Sequence, residues 1–248
     1  MRLIRSAACT TMSRLRAILV ANLAVAIGMA GQGFAGAAGD RPLAAAAAGP
    51  SRAVSGTAFF VDGSGRMLTA RHAVESCARI VVAKERWRVG ARLLALSDRF
   101  DLALIAVPRT LGLSAVFPRS ATPRVDDMVF AGSYEALPGM KIGGGVLANA
   151  RVTGTAGENA PGHLAMESSA GFGTSGAPVL DRHGLVQGVV SRRGSSGRVL
   201  AVGAAEAKSF LSANGVRIEQ DDRPQIAASG SRAHRAASLS ALVTCLQN

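Results

Sequence analysis

Three stretches of the sequence carry residues that could together transfer an acyl group: His72 in LTARHAV, Asp101 in SDRFDLALIAV and Ser175 in GFGTSGAPVL. A serine hydroxyl is a weak nucleophile at neutral pH, so it needs a base such as histidine to take its proton. A carboxylate then fixes the tautomer of the histidine and stabilises the imidazolium that forms. Glycines around Ser175 let the backbone aim the N–H groups of Gly173 and Ser175 at a developing oxyanion.

Each of these residues, taken singly, also has a purely structural explanation. His72 could cap the turn after its strand, and Asp101 could be a surface turn residue before a buried strand. Ser175 could be a loop serine, because Gly, Ser and Pro commonly turn the chain. A buried Asp101 would need a partner, however, since an unpaired buried charge is costly. The ring N–H of a histidine is such a partner.

The elements that would position these residues are short strands. Eleven short apolar runs, separated by Gly, Asp, Ser and Arg, extend from residue 55 to residue 203. This spacing favours an all-β sandwich or barrel over alternating strands and helices. One helix is predicted in AAEAKSFLSANG, with Ala207, Phe210 and Leu211 on one face and Gly215 at its end.

Together the three stretches resemble the His, Asp and Ser blocks of chymotrypsin-fold, trypsin-like serine peptidases, in particular the bacterial branch that includes DegP/HtrA protease domains. The order His, Asp, Ser along the chain is that of this family. The resemblance covers about residues 54–215 and implies two six-stranded antiparallel β-barrels with a short C-terminal helix, with no PDZ domain expected. It implies that His72 is the general base, Asp101 its orienting carboxylate and Ser175 the nucleophile. The N–H groups of Gly173 and Ser175 would form the oxyanion hole.

The resemblance also places a specificity pocket. It implies that Ser169 forms the floor of the S1 pocket and that Ser191 belongs to its wall. An uncharged floor argues against Lys or Arg at P1 and favours a small or apolar residue, while Arg192 and Arg193 leave an acidic P1 open. Arg71 stands where the family usually has a small or polar residue, and we expect its guanidinium to point to solvent.

The N-terminus predicts export. Four arginines precede the apolar run 17–30, and Ala35 and Ala37 fit a small-x-small cleavage pattern, so residues 1–37 are interpreted as a signal peptide. A transmembrane anchor is the alternative, but it would need about 20 apolar residues. We therefore expect a periplasmic or extracellular protein with no stable membrane span after cleavage.

The expected organisation follows from these boundaries. A flexible leader would occupy residues 38–53, a peptidase domain residues 54–215 and a C-terminal tail residues 216–248, whose last stretch LSALVTCLQN is apolar enough to return to the body. Within the domain, the first barrel would span about 54–122, the second about 123–203 and the helix about 204–214.

Charge and cysteine content narrow the remaining classes of function. Removing residues 1–37 removes four arginines and no acid, so the formal net charge falls from +12 to +8. No nucleic-acid motif accompanies this basic character, and no nucleic-acid partner is expected.

Cys77 and Cys245 predict either a disulfide worth about 4 kcal/mol or two buried thiols. The four histidines are scattered without HExxH or CxxC motifs, so no metal or cofactor is expected.

These features predict a secreted serine endopeptidase that cleaves proteins or peptides through an acyl-enzyme, with its oligomeric state left open. One alternative is an inactive trypsin-like binding module with the same fold. The other is an α/β-hydrolase esterase with Ser175 on a nucleophile elbow. Its acid would be Asp181 or Asp221 and its base His234. The elbow motif G-x-S-x-G is broken by Ala177, and the alternating strands and helices are missing.

Overall fold

The computed structural model describes residues 53–120, 122–155, 161–169, 171, 173–194, 197–227 and 230–247. The predicted signal peptide (1–37) and all but the last residue of the predicted leader (38–53) lie outside the described residues. No helix in the described part of the chain has the length and apolar character needed to cross a bilayer.

Six strands close into a first antiparallel barrel, in the order β1-β14-β3-β4-β5-β2. Side chains alternate across each strand, so β1 presents Ala58 and Phe60 to the core of the barrel and Thr57 and Phe59 to the second half of the molecule. The strands are β1 (Ala53–Phe60), β2 (Arg66–Thr69), β3 (Arg79–Lys84), β4 (Trp87–Leu96), β5 (Ala103–Ala106) and β14 (Ser240–Leu246).

The second barrel is a six-stranded antiparallel sheet that nearly closes, in the order β10-β11-β12-β9-β8-β7. Phe130, just after β7, and Leu180 in β10 exchange two backbone hydrogen bonds of 2.9 and 2.8 Å, which bring the two edges together. The strands are β7 (Met128–Val129), β8 (Ala150–Thr155), β9 (His163–Ser168), β10 (Pro178–Leu180), β11 (Val186–Arg193) and β12 (Arg198–Gly203).

A large apolar cluster joins the two barrels. Phe59, Phe117 and Phe130 are fully buried in it, and buried residues of α2 and α3 pack against them. The prediction of an all-β fold with two six-stranded antiparallel barrels is therefore confirmed. The remaining elements are α1 (Leu137–Met140), α2 (Ala204–Ala213), α3 (Arg232–Leu239), the 3-10 turns Arg71–Ala73 and Ile142–Gly144, and the parallel pair β6 (Val116–Phe117) and β13 (Glu219–Gln220).

The C-terminal segment differs from the tail expected for residues 216–248. Its last strand, β14, lies between β1 and β3, where Val243 pairs with both Gly56 and Val82. Ala241 and Val243 are buried in the core of the first barrel. The first barrel therefore includes residues far outside 54–122. The apolar character of LSALVTCLQN predicted its return to the body but not its place between β1 and β3, because these partners lie at the other end of the chain and no local signal specifies such a pairing.

Lys84 fixes the point where the chain passes from α3 into β14. Its ammonium is buried and donates hydrogen bonds to the carbonyl oxygens of Ala237 (2.5 Å) and Ser240 (2.7 Å). Cations are favoured at the C-terminal end of a helix, where carbonyl groups lack partners. Burial lowers the pKa of Lys84 to about 8.

A disulfide between Cys77 and Cys245 ties β14 to the segment that follows the 3-10 turn, across a sequence separation of 168 residues. Reducing it, or replacing Cys245 with serine, frees a long loop in the unfolded chain and is expected to cost about 4 kcal/mol. We predict a fall in the melting temperature on the order of 10 °C for a domain of this size. Calorimetry with and without reductant measures it, and an unchanged melting temperature would contradict the prediction.

Candidate active site

His72 lies in the middle of the 3-10 turn that follows β2. The turn is closed by backbone hydrogen bonds from Ala73 to Ala70 (3.2 Å) and from Val74 to Arg71 (3.0 Å). The His72 side chain is 45% exposed, so it is open to solvent and to a substrate while its backbone is held. The end of a buried strand thus presents the imidazole at the surface.

Asp101 lies just before β5 and holds the His72 ring. Its Oδ1 accepts the backbone N–H of His72 at 3.0 Å, and its Oδ2 lies 2.8 Å from Nδ1 of the imidazole. An ionised carboxylate only accepts hydrogen bonds, so Nδ1 carries the proton and Nε2 is left as the basic nitrogen. The sequence-predicted base and carboxylate are therefore in direct contact.

Ser191 on β11 is a third member of this group. It is buried, and its hydroxyl donates a 2.7 Å hydrogen bond to Oδ2 of Asp101. Sequence reasoning assigned Ser191 to the wall of the specificity pocket and missed this contact with the carboxylate. The only local signal was a serine at the end of the apolar run LVQGVV.

The hydrogen bonds of this group shift the pKa values of both Asp101 and His72. Burial raises the pKa of Asp101, but the hydrogen bonds from His72 and Ser191 outweigh it and leave that pKa below its ordinary value. The hydrogen bond to Asp101 raises the pKa of His72 above its ordinary value of 6.5, although desolvation and the positive charge of Arg192 lower it. Asp101 is ionised at neutral pH, and the imidazolium of His72 is stabilised.

These shifts predict the pH dependence of any reaction that uses neutral His72 as a base. The value of kcat/KM should rise with pH, with a midpoint above 6.5, because the base form appears only above the raised pKa. Replacing Arg192 with glutamine removes a positive charge that lowers this pKa, so the midpoint should move to higher pH. Arg192→Lys keeps the charge and is the control. A midpoint below 6.5, or no shift in Arg192→Gln, would contradict the prediction.

Ser175 lies in a tight turn at the start of β10. The N–H of Ala177 donates to the carbonyl of Thr174 at 2.8 Å, which makes Ser175 and Gly176 the central residues of the turn. Gly176 has φ of +82°, and a Cβ there would collide with the carbonyl oxygen of Thr57. This position therefore requires glycine, for conformation and for space.

Contacts from both barrels hold the Ser175 turn near His72 and Asp101. The carbonyl of Ser175 accepts the N–H of Thr57 at 2.8 Å, and the N–H of Gly176 donates to Val190, the residue before Ser191, at 2.7 Å. Gly56 lies against both the turn and the histidine segment: a Cβ on it would sit 3.1 Å from the Ser175 carbonyl oxygen and 3.3 Å from Cβ of Ala73. The turn and the histidine segment thus meet where the two barrels join.

Among the residues that the structure describes, the Ser175 hydroxyl and two backbone amides of its turn have no hydrogen-bond partner. Within the described residues, no hydrogen bond joins the Ser175 hydroxyl to His72, and the N–H groups of Gly173 and Ser175 have no acceptor. Gly173 has φ of +77°, which a residue with a side chain rarely adopts. Nucleophile–base contacts are often loose in the absence of substrate. The structure thus places the Ser175 turn and its amides against the segment that carries His72.

The guanidinium of Arg71, expected to point to solvent, is partly exposed and bonds to two partners. Its guanidinium forms an ion pair with Glu75 (2.7 Å) and donates to the carbonyl of Ser97 (2.8 Å). Glu75 lies one turn further along the chain and itself raises the pKa of His72. The cation next to the base in sequence is therefore neutralised by a local partner.

Ser169 is exposed at the end of β9 and lines an open depression of about 560 Å³. Arg151 and Glu167 also line it, and these two side chains are paired with each other at 2.8 Å. The assignment of Ser169 to the floor of a specificity pocket stays a prediction.

The residues of the alternative esterase triad form hydrogen bonds and ion pairs with other partners. Asp181 accepts hydrogen bonds from the turn that follows it and from Gln187, and Asp221 pairs with Arg223. His234 bonds to Ser231 at the start of α3. Among the described contacts, none of these three residues touches Ser175, so the structure does not bring this triad together.

A family model described as a trypsin-like peptidase domain matches residues 56–189, more than half of the chain. The matched segment contains His72, Asp101 and Ser175. The chain therefore belongs to the trypsin-like serine peptidases.

Curated relatives support this assignment. Serine endoprotease DegS of Salmonella typhimurium is 29% identical over 139 residues, which cover 54% of this chain and 38% of DegS. The uncharacterized protein y4bJ of Sinorhizobium fredii is 28% identical over 205 residues, 77% of this chain and 32% of that protein. The chain thus spans only about a third of the length of these relatives.

Solved structures show the same fold. The serine endoprotease from Yersinia pestis matches with a TM-score of 0.53 and 21% identity, over 64% of this chain and 57% of that chain. The Rv3671c protease in its inactive form matches with a TM-score of 0.51 and 24% identity, over 65% of this chain and 84% of that chain.

Proposed function

We propose that the chain is a serine endopeptidase that hydrolyses peptide bonds through a Ser-His-Asp triad. Ser175 is the nucleophile, His72 the general base and Asp101 the carboxylate that orients it. The observation that carries the proposal is the 2.8 Å contact between Nδ1 of His72 and Asp101, beside the turn that carries Ser175. This contact leaves Nε2 of the imidazole as the proton acceptor.

Each step of the reaction uses a named group of the site. Nε2 of His72 takes the proton of the Ser175 hydroxyl while its oxygen attacks the peptide carbonyl carbon. The carbonyl oxygen becomes an oxyanion, and the N–H groups of Gly173 and Ser175 donate to it. The carbon–nitrogen bond then breaks, and the imidazolium gives its proton to the leaving amine. A water molecule, activated by the same imidazole, hydrolyses the acyl-enzyme.

Among the described contacts, no hydrogen bond joins Ser175 to His72, which favours a second candidate, an inactive binding module of the same fold. The two functions differ in one respect: only the peptidase closes this contact when a substrate carbonyl is bound. Rotation about χ1 would redirect the Ser175 hydroxyl while Thr57 and Val190 hold the backbone of the turn.

A burst experiment separates these candidates. The purified chain is mixed with excess p-nitrophenyl ester, and the released nitrophenolate is followed. An acyl-enzyme mechanism predicts a rapid burst that approaches one equivalent of enzyme, followed by slower turnover. The control is the same protein after heat denaturation. The contrary result is linear release of nitrophenolate at the rate of the denatured control, from a chain that circular dichroism shows to be folded. It would contradict peptidase chemistry and support the binding module.

We also propose that the substrates are proteins or peptides and that the chain is exported. The basic and apolar N-terminal segment and the cysteine pair support export. The mature protein recovered from a secreting host should begin at Ala38, which intact mass spectrometry measures. A mature chain that retains Met1 would contradict this proposal.

A preference at P1 is part of the same proposal. Ser169 supports a small or apolar P1 residue, and Arg192 beside His72 supports an acidic one. Cleavage of a peptide library decides between them, and dominant cleavage after Lys or Arg would contradict both.

A further inference from the structure

Thr57 on β1 is fully buried and makes hydrogen bonds in four directions. Its backbone N–H donates to the carbonyl of Ser175 at 2.8 Å, and its hydroxyl donates to the carbonyl of Gly173 at 2.8 Å. The same hydroxyl accepts the N–H of Tyr134 at 3.0 Å, and the carbonyl of Thr57 accepts the hydroxyl of Thr69 at 2.7 Å. Thr57 therefore contacts both residues whose amides are proposed to bind the oxyanion.

The strand register explains why these groups of Thr57 are available. Thr69 is the last residue of β2 and pairs with Ala58, so Thr57 lies one residue beyond the end of that pairing. Its backbone N–H then has no strand partner on this side and reaches the Ser175 turn. The side chain points out of the first barrel, because its neighbour Ala58 points into the core.

The direction of the Thr57 hydroxyl is fixed by its two partners. A backbone N–H can only donate and a backbone carbonyl can only accept, so the hydroxyl must accept from Tyr134 and donate to Gly173. A buried hydroxyl with one donor and one acceptor in place has no alternative orientation. It holds the Gly173 carbonyl in one direction.

Gly173 is the residue that most needs such a restraint. As a glycine with φ of +77°, it has more accessible backbone conformations than any other residue type. A rotation of its backbone would turn its N–H away from a substrate oxygen. The segment that contains Tyr134 also lies beside it: a Cβ on Gly173 would sit 3.5 Å from Cβ of Ser133 and 3.7 Å from the carboxylate of Glu135.

We propose that Thr57 is a positioning residue whose hydroxyl fixes the oxyanion-hole loop and links it to the segment 133–137. This inference rests on the proposed peptidase function. Thr57 touches no substrate, because it is fully buried, and acts only through Gly173 and Ser175. Its loss should therefore slow acylation without weakening substrate binding.

The test compares acylation rate constants, measured from the nitrophenolate burst, in the full chain and its variants. Thr57→Val removes the hydroxyl with little change of volume and should slow acylation about tenfold to a hundredfold, less than the loss of about 10²–10³ for a missing oxyanion donor. The substrate dissociation constant should stay unchanged. Thr57→Ser keeps the hydroxyl and should restore the rate to within about threefold, because the donor itself is retained.

Thr69→Val is the matched control, since Thr69 is an equally buried threonine that donates to Thr57 and lies against Gly176 but, among the described hydrogen bonds, makes none to Gly173. Rates are compared only among variants that circular dichroism shows to be folded. If Thr57→Val does not fold, Thr57→Cys, whose thiol is a weaker donor, takes its place. Three results would contradict the role of Thr57 but not the peptidase function. They are equal rates in wild type and Thr57→Val, or a loss in Thr57→Ser or in Thr69→Val as large as that in Thr57→Val. A wild-type chain without a burst would overturn the peptidase function itself.

Discussion

Replacing Ser175 with alanine is expected to lower kcat for peptide hydrolysis about 10⁶-fold, the loss typical when the nucleophile of such a triad is removed. Without the hydroxyl no acyl-enzyme forms, and the oxyanion donors can act only on direct attack by water. The fold should be unaffected, because the contacts that hold the turn come from the backbone of Ser175 and from Gly176. Steady-state kinetics and the melting temperature measure the two effects separately.

Ser212→Ala is the matched control for this prediction. Ser212 is exposed on α2, and its side chain makes no hydrogen bond among the described residues. Its replacement should leave kcat unchanged. A loss of less than about tenfold in Ser175→Ala, with the control intact, would contradict the assignment of Ser175 as nucleophile, because removing the nucleophile of such a triad costs about 10⁶ in kcat.

Replacing Asp101 with asparagine is expected to lower kcat about 10⁴-fold at neutral pH with little change in the backbone. The asparagine carbonyl can still accept the backbone N–H of His72, but the NH₂ group then faces Nδ1 and forces the proton onto Nε2. A protonated Nε2 cannot take the proton of Ser175. The pKa of His72 should also fall, because the hydrogen bond to Asp101 is the largest cause of its increase.

Two measurements check this second prediction: kcat at neutral pH and the pH midpoint of kcat/KM, which should move to lower pH. Asp98→Asn, three residues earlier and exposed, is the matched control and should change neither quantity. A similar loss in both variants would mean that charge in this loop, rather than the contact with His72, matters. An unchanged midpoint in Asp101→Asn would show that the carboxylate does not set the protonation of His72.

The fold was predictable because its signals are local. Short apolar runs with turn residues between them predicted an all-β fold, and the resemblance of the His, Asp and Ser blocks implied the two barrels. The Ser175 turn could be read from GTSGAP, since only glycine suits the conformation of Gly176. The pairing of His72 with Asp101 followed from chemistry, because an acid before an apolar strand needs a partner.

The contacts that the sequence did not reveal are non-local. β14 inserts between β1 and β3 from the far end of the chain, and nothing within LSALVTCLQN indicates which strands it will join. The bonds from Ser191 to Asp101 and from Thr57 to Gly173 span 90 and 116 residues. A serine or threonine in a strand looks the same in sequence whether its hydroxyl faces a solvent molecule or a carboxylate. Only the packing of the two barrels decides between them.

The central claim is that Ser175 is an activated nucleophile, and a fluorophosphonate probe tests it most directly. The folded wild-type chain is treated with the probe, digested and mapped by mass spectrometry. Activation of Ser175 by His72 predicts one adduct, on the peptide that contains Ser175, formed faster as the pH rises through the pKa of His72, and absent after heat denaturation. A folded chain that remains unlabelled, or that is labelled on another serine while Ser175 stays free, would contradict it.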